Sequence, residues 1–243
     1  MSDGRVVLIT GGTYGIGRAA TLGFAAQGDR VYTFGVDPKA TEGVSALAAA
    51  ADTPVDATTL DITDGDGVRA LVERILKKEG RIDVLVNNAA ARPTGTMETA
   101  TEEDWDLAFN VNIRGMFVTT KAVLPQMLER RQGVIVNVAS GSGYGRGGLV
   151  AYGASKGAVF AFTKCLAIDH AGQGIRANTV VPGFTESGMT EDFPREVMAM
   201  GAGMSVAGRV NKPAEVAEAI LWLASDKAAI VSGTTIEAGT LPR

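Results

Sequence analysis

The sequence predicts an α/β fold, a single doubly wound domain with a parallel sheet of about seven strands and helices on both faces. Three observations predict it. Short β-rich runs alternate with helical patterns almost to the C-terminus, and strand–helix–strand alternation requires parallel strands. The strand runs are apolar without alternation, as expected of a sheet buried on both faces. Many of the 31 glycines fall in short strand-to-helix connections, where backbone must approach a ligand closely.

The elements follow in order. Val6–Thr10 is a continuous apolar run and the first strand, leading through glycines into a helix over Gly15–Gln27. Val31–Gly35 is the second strand, followed by helix Thr41–Ala51. Pro54–Leu60 and helix Asp64–Glu79 form the next pair, and Val84–Asn87 is the fourth strand. One long helix is predicted over Glu102–Arg130, then strand Val134–Ala139, helix Tyr152–Ala171 and strand Arg176–Val181. Helix Pro213–Ser225 and strand Ile230–Glu237 complete the pattern. Residues 184–211 break it and hold methionines 189, 198, 200 and 204; this segment is expected to be a substrate-loop or lid. No linker, repeat or low-complexity stretch interrupts residues 1–243, which are expected to form one domain.

Bulk properties exclude several classes. Apolar content of 46% and charge of 21% are ordinary for a soluble globular protein. A formal net charge of −4 gives no global reason to bind nucleic acid or anionic membrane. The single cysteine, Cys165, excludes an intrachain disulfide framework, fits a reducing compartment and is expected to be a small buried hydrophobe. No basic-then-apolar leader precedes the first strand, and the most apolar long segment, Gly157 to Ile168, is broken by Lys164 and too short to span a bilayer. The expectation is a cytoplasmic protein. The sole histidine, His170, lies at a helix end away from the motifs, and no metal site is expected.

The first strand runs directly into Thr10-Gly11-Gly12-Thr13-Tyr14-Gly15-Ile16-Gly17 and a helix. Glycines let the backbone turn sharply toward a pyrophosphate, and the helix N-terminus offers free N–H groups with positive partial charge. The turn, placed between a first strand and a first helix, points to dinucleotide binding on a Rossmann-type fold. The acidic residue that meets the ribose hydroxyl is expected about 20 residues further on, and Asp37 is there. A carboxylate accepts from a 2′-hydroxyl and repels a 2′-phosphate, so NAD is favoured; Lys39 keeps NADP open.

Tyr152 and Lys156 lie four apart on a predicted helix and share a face. A phenol titrates near about 10, and an ammonium held close would bring it into range for proton transfer near neutrality. Together with the segments between, this pair resembles the short-chain dehydrogenase/reductase family over nearly the whole chain. Thr10–Gly17 matches its T-G-x-x-x-G-x-G turn, and Asp61, with Ile62 beside it, stands where the family places an aspartate near the adenine. Asn87-Asn88-Ala89-Ala90 resembles its N-N-A-G segment, and Asn112 occupies the active-site asparagine position. Ser140 ends the fifth strand, Tyr152 and Lys156 form Y-x-x-x-K, and Pro182-Gly183 follows the sixth strand with Thr185 and Ser187 close behind.

The resemblance implies hydride transfer between a nicotinamide and a carbinol or carbonyl carbon. Tyr152 is then the general acid/base, Lys156 holds the nicotinamide ribose and lowers the Tyr152 pKa, Ser140 hydrogen-bonds the substrate oxygen, and Asn112 supports a water relay. The chain departs from the family pattern in four places. Ser140 precedes Tyr152 by twelve residues rather than thirteen, so Ser142 is the alternative donor. Ala90 replaces the usual glycine. Gly35 occupies the slot where the cofactor-selecting aspartate usually ends strand two, with Asp37 two residues later. Ser187 replaces a threonine and Ala238 an aspartate. The expected substrate is a small or cyclic alcohol or ketone; Tyr144, Arg92, Met189, Phe193 and Met198 are candidate pocket walls by position, and Arg92 or Arg146 suits a carboxylate. Helices Glu102–Arg130 and Tyr152–Ala171 resemble those that pair in family oligomers, so a homotetramer is expected, with a dimer second. An NADPH-dependent 3-oxoacyl-carrier-protein-type reductase and a non-catalytic nucleotide-binding scaffold are the alternatives.

Overall fold

The computed structural model describes residues 4–53, 55–188, 190 and 193–240. Its first strand, β1 (Val6–Thr10), lies in the interior of the sheet, and its four leading side chains are fully buried. Val6 and Leu8 pack on one face of the sheet, Val7 and Ile9 on the other. This is why the run shows no polar alternation. Around it lie β2 (Arg30–Gly35), β3 (Val55–Thr59), β4 (Val84–Asn87), β5 (Gly133–Val138), β6 (Ile175–Pro182) and β7 (Thr235–Ala238). All neighbours pair in parallel, in the order β3-β2-β1-β4-β5-β6-β7. The strand order reverses between β1 and β4, which opens a crevice at their carboxyl ends.

The helices are α1 (Gly15–Ala26), α2 (Pro38–Ala50), α3 (Gly65–Glu79), α4 (Glu102–Phe109), α5 (Met116–Arg130), α6 (Val150–His170), α7 (Arg195–Gly203) and α8 (Pro213–Ala224). Val68 and Ile75 of α3, Val123 and Met127 of α5 and Ala167 of α6 cover one face of the sheet. Phe24 of α1 with Ile220 and Leu223 of α8 covers the other. Among the described residues, no helix is long and apolar enough to cross a membrane.

Four local expectations are corrected. The long helix predicted over Glu102–Arg130 is two helices joined by a π-helical turn, Asn110–Gly115. Asn112 lies within that turn and is buried. Strand Ile230–Glu237 is shorter than predicted, because Ile230 is fully exposed, Gly233 sits at φ +70° and only Thr235–Ala238 pairs with β6. Residues 184–211 contain α7, and a parallel bridge between Thr185 and Asn211 closes the base of the excursion. Cys165 is exposed on α6, off the face that buries Tyr152, Lys156 and Val159. Pro54, predicted to open strand three, lies outside the described residues.

Behind β1, Asp83 ties strand to helix. Its carboxylate accepts from the Val6 N–H (2.9 Å), Arg81 Nε (2.9 Å) and the Arg130 guanidinium (2.5 Å). Burial pushes this carboxyl up, but those donors outweigh it and hold it below the ordinary carboxylate range. Asp83→Asn is expected to cost about 1.5–3 kcal/mol in chemical denaturation at neutral pH, the worth of hydrogen bonds to a charged group. Because the folded carboxyl is depressed, that difference is full above the ordinary range and shrinks as the pH falls through it.

Candidate active site

The carboxyl ends of β1 to β6 border one cavity of about 1180 Å³. Its floor at β1 is the glycine turn. Gly11 and Gly15 take φ of +63° and +50°, a backbone open to glycine at little cost. A Cβ on Gly11 would lie 2.8 Å from Ala89 Cα. Asn88 Nδ2 donates to the carbonyls of Thr10 (3.1 Å) and Gly11 (2.9 Å), while Thr10 Oγ1 accepts from the N–H groups of Asn88 and Ala89, both at 3.0 Å. The β4 loop is thereby stitched to the turn. Helix α1 begins with no side-chain cap and no acidic residue in its first turn, so its N–H groups face the cavity unclaimed. This cradle suits a phosphate-bearing ligand. Gly11, Thr13, Tyr14, Gly15 and Ile16 line it. Gly17, expected among the cofactor residues, instead packs inward, where a Cβ would lie 2.2 Å from the Gly11 carbonyl oxygen.

The displaced acid at β2 has a steric cause. A Cβ on Gly35 would lie 2.3 Å from Thr13 Oγ1, so the Thr13 side chain fills the space of an aspartate there. Asp37 lines the cavity from the next bend and caps α2 by accepting from the Lys39 N–H at 2.9 Å. Asp61 and Ile62 line the wall beyond β3, with Asp61 Oδ1 accepting from the Thr63 N–H and hydroxyl, both at 2.8 Å. Asn88, Ala89 and Ala90 line it beyond β4, and Pro182, Gly183, Thr185 and Ser187 beyond β6.

Tyr152, Lys156, Ser140 and Ser142 meet at the centre of the same cavity. The short 3-10 turn Gly141–Tyr144 lies directly on α6: a Cβ on Gly143 would fall 2.8 Å from the Lys156 carbonyl carbon. That approach brings Ser140 over the tyrosine. The Ser140 hydroxyl bonds the Tyr152 phenol, and Ser140 Oγ accepts from the Ser142 N–H at 3.1 Å. Ser140, rather than Ser142, is thus the hydroxyl beside the phenol despite the shortened loop.

Asn112 lies behind them. Its Oδ1 accepts from the Ala91 N–H (2.8 Å), and its Nδ2 donates to the Ala91 carbonyl (2.9 Å) and to Ser155 Oγ (2.8 Å). Ser155 Oγ in turn donates to the Tyr152 carbonyl at 2.8 Å. Asn112 does not line the cavity; it positions what does.

Tyr152 and Lys156 line the same cavity from successive turns of α6. Burial pushes the Tyr152 phenol above its ordinary value, and the groups that pull it back are Ser140 and the Arg92 guanidinium. Lys156 Nζ donates to the Val138 carbonyl at 2.8 Å, and its burial lowers its pKa to about 8.

Two residues were not read as part of this machinery. Ser155 gives no signal beyond a hydroxyl between Tyr152 and Lys156 on a helix. Arg92 is expected from the sequence as a pocket wall and a partner for a carboxylate, not as a neighbour of the phenol; its guanidinium lies 6.0 Å from the Tyr152 ring centroid and 5.3 Å from that of Phe193. Of the other candidate walls, Phe193 lines the cavity, as does Arg146, while Tyr144 stacks on Phe160 and neither Tyr144 nor Met198 borders it. Met204 lines it instead. Met189 lies outside the described residues.

The short chain dehydrogenase family profile matches residues 5–198. The chain is 42% identical over 235 residues to a 3-oxoacyl-[acyl-carrier-protein] reductase of Thermotoga maritima, covering 96% of each. It is 36% identical over 236 residues to meso-2,3-butanediol dehydrogenase of Serratia marcescens, covering 96% of this chain and 92% of that one. Among solved structures, a variant of actinorhodin polyketide ketoreductase with NADPH superposes with a TM-score of 0.92 at 31% identity, covering 99% of this chain and 97% of that one.

The buried lysine leaves a signature in stability. An ammonium at this site is disfavoured in the folded chain, so between about 8 and the ordinary lysine range the folded state gives up its proton before the unfolded chain does. Stability linked to Lys156 therefore rises with pH across that window. The melting temperature of the wild type is expected to climb relative to Lys156→Met between pH 7.5 and 10. A constant difference across that range would remove Lys156 as a buried cation.

Proposed function

The chain belongs to the short-chain dehydrogenase family, oxidoreductases acting on CH–OH groups, and on that premise we propose that it transfers hydride between NAD(H) and the carbinol or carbonyl carbon of a small or cyclic alcohol or ketone. The observation that carries this reading is the convergence of Tyr152, Ser140 and Lys156 on one cavity whose far end is the glycine cradle. The cradle fits a dinucleotide: Gly15 and Ile16 would meet the pyrophosphate, Asp37 the adenosine ribose, Asp61 and Ile62 the adenine, and Asn88–Ala90 the adjoining sugar. Pro182, Gly183, Thr185 and Ser187 would meet the carboxamide end. When bound, the nicotinamide accepts or supplies a hydrogen with its electron pair at the substrate carbon.

The chain's own residues manage the proton. In oxidation the substrate hydroxyl gives its proton to the Tyr152 oxygen, and in reduction the phenol returns it to the carbonyl oxygen. The Ser140 hydroxyl donates to the substrate oxygen as charge develops there. Lys156, fixed on the Val138 carbonyl, presents its remaining N–H donors to the ribose side of the cavity. A phenol raised by burial is protonated at neutral pH. It is thus poised as the acid for reduction, and oxidation gains as pH rises.

The position of Asp37 at the α2 cap supports NAD over NADP, since a 2′-phosphate would meet its carboxylate. Against it stand the similarities to a 3-oxoacyl-[acyl-carrier-protein] reductase and to a polyketide ketoreductase solved with NADPH, which together support an NADPH-dependent reductase as the second reading. The proposal extends to a cytoplasmic homotetramer built on α4–α5 and α6, and to residues 184–211 as the substrate loop. A non-catalytic nucleotide-binding scaffold is disfavoured by the intact tyrosine and lysine.

A screen of alcohols and ketones with both nicotinamide cofactors, followed by reduced-nicotinamide absorbance, tests the proposal. Tyr152→Phe is expected to lower kcat by about 10²–10⁴-fold, the usual worth of a positioned acid/base. Its NADH affinity, by fluorescence titration, is expected to change little. Unchanged turnover in Tyr152→Phe removes the proton-transfer role, and tighter binding of NADPH than NADH removes the reading of Asp37.

A further inference from the structure

A cation stands beside the phenol and has no carboxylate partner among the described residues. Arg92 follows Ala91, the residue that Asn112 clamps, so its backbone position is fixed relative to α6. Its guanidinium lies over the rings of Tyr152 and Phe193, contacts with the π faces that form no N–H···O bond. Arg146 approaches it from the glycine loop before α6, and both arginines line the cavity. Two like charges brought together in a half-buried site repel, and burial already disfavours the Arg92 cation. An anion placed between them would relieve both costs. Guanidinium groups match a carboxylate with two parallel N–H···O bonds. Phe193, Phe184 and Met204 add apolar surface to the same cavity.

We propose that Arg92, assisted by Arg146, makes this site selective for hydroxy acids and their oxo-acid counterparts, the carboxylate docking on Arg92 while the carbinol oxygen meets Tyr152 and Ser140. The inference rests on the reading of Tyr152 as the proton-transfer group. The proximity of Arg92 to the Tyr152 ring limits the distance between the two substrate groups. Acids with the hydroxyl close to the carboxylate therefore fit better than long ω-hydroxy acids. The carboxylate is not consumed; the carbinol carbon loses hydride to the nicotinamide dinucleotide and its hydroxyl loses a proton to Tyr152.

The test compares short 2- and 3-hydroxy acids with their methyl esters, and the oxo acids with theirs, in the wild type, Arg92→Ala, Arg92→Lys and Arg146→Ala. The wild type is expected to prefer each acid over its ester. Arg92→Ala is expected to lower kcat/KM for the acid by about 30–100-fold more than for its ester, the excess appearing in KM, with Arg92→Lys recovering only part. Binding of the oxo acid to the enzyme with NADH, by calorimetry, should weaken in parallel. Equal losses for acid and ester would assign Arg92 to tuning Tyr152 and overturn the proposal. So would turnover of neutral alcohols with no preference for acids, an outcome that leaves the hydride-transfer reading intact. Absence of turnover and of oxo-acid binding would also overturn it, and absence of NADH binding as well would sink the hydride-transfer reading.

Discussion

The side-chain amide of Asn112 is the constraint on which the site depends. It is a buried polar group in a low-dielectric interior, where each unmade bond is costly, and it makes three bonds at 2.8–2.9 Å. Two clamp both backbone groups of Ala91; the third reaches Ser155, which holds the Tyr152 carbonyl. One amide therefore fixes the loop after β4 to the helix that carries Tyr152 and Lys156. Asn112 sits within the π-helical turn that joins α4 to α5. Gly115, at the end of that turn, permits the close seat on Ile62, where a Cβ would fall 2.7 Å from its Cγ1.

The same loop joins the two halves of the cavity. Asn88 stitches it to the glycine turn, and Asn112 stitches it to α6 four residues downstream of the Asn87 strand end. A ligand lying along the crevice thus meets groups whose relative positions are set by short polar bonds between secondary-structure elements, not by the irregular segment 184–211. This is how preorganised donors arise from a parallel sheet: each strand delivers its residue at a carboxyl end, and the bonds between neighbouring loops remove the remaining freedom.

Much of the fold was legible because burial on both faces leaves an apolar signature. Val6–Ile9 and Val84–Val86 contain no alternation, and the glycine turn stands where the strand order requires it. What was hidden depends on tertiary packing. The π turn leaves no mark in helical periodicity, and the late start of the last strand follows from Gly233 and the exposed Ile230. Asp37 was found by distance along the chain, but the reason for its shift, Thr13 filling the space at Gly35, is a contact between two loops. Motif spacing brought Tyr152, Lys156 and Ser140 to notice; it gave no hint that Lys156 would bond the Val138 carbonyl while Arg92 faced the phenol.

The coupling through Asn112 is tested most directly by amide hydrogen exchange on the wild type and Asn112→Ala, compared residue by residue. The account predicts that the Ala91 amide and the first turns of α6 lose protection together, while the amides of β1, β4 and β5 keep theirs. Loss of protection at Ala91 alone, with α6 unchanged, would contradict the claim that this one amide holds the loop and the helix in register.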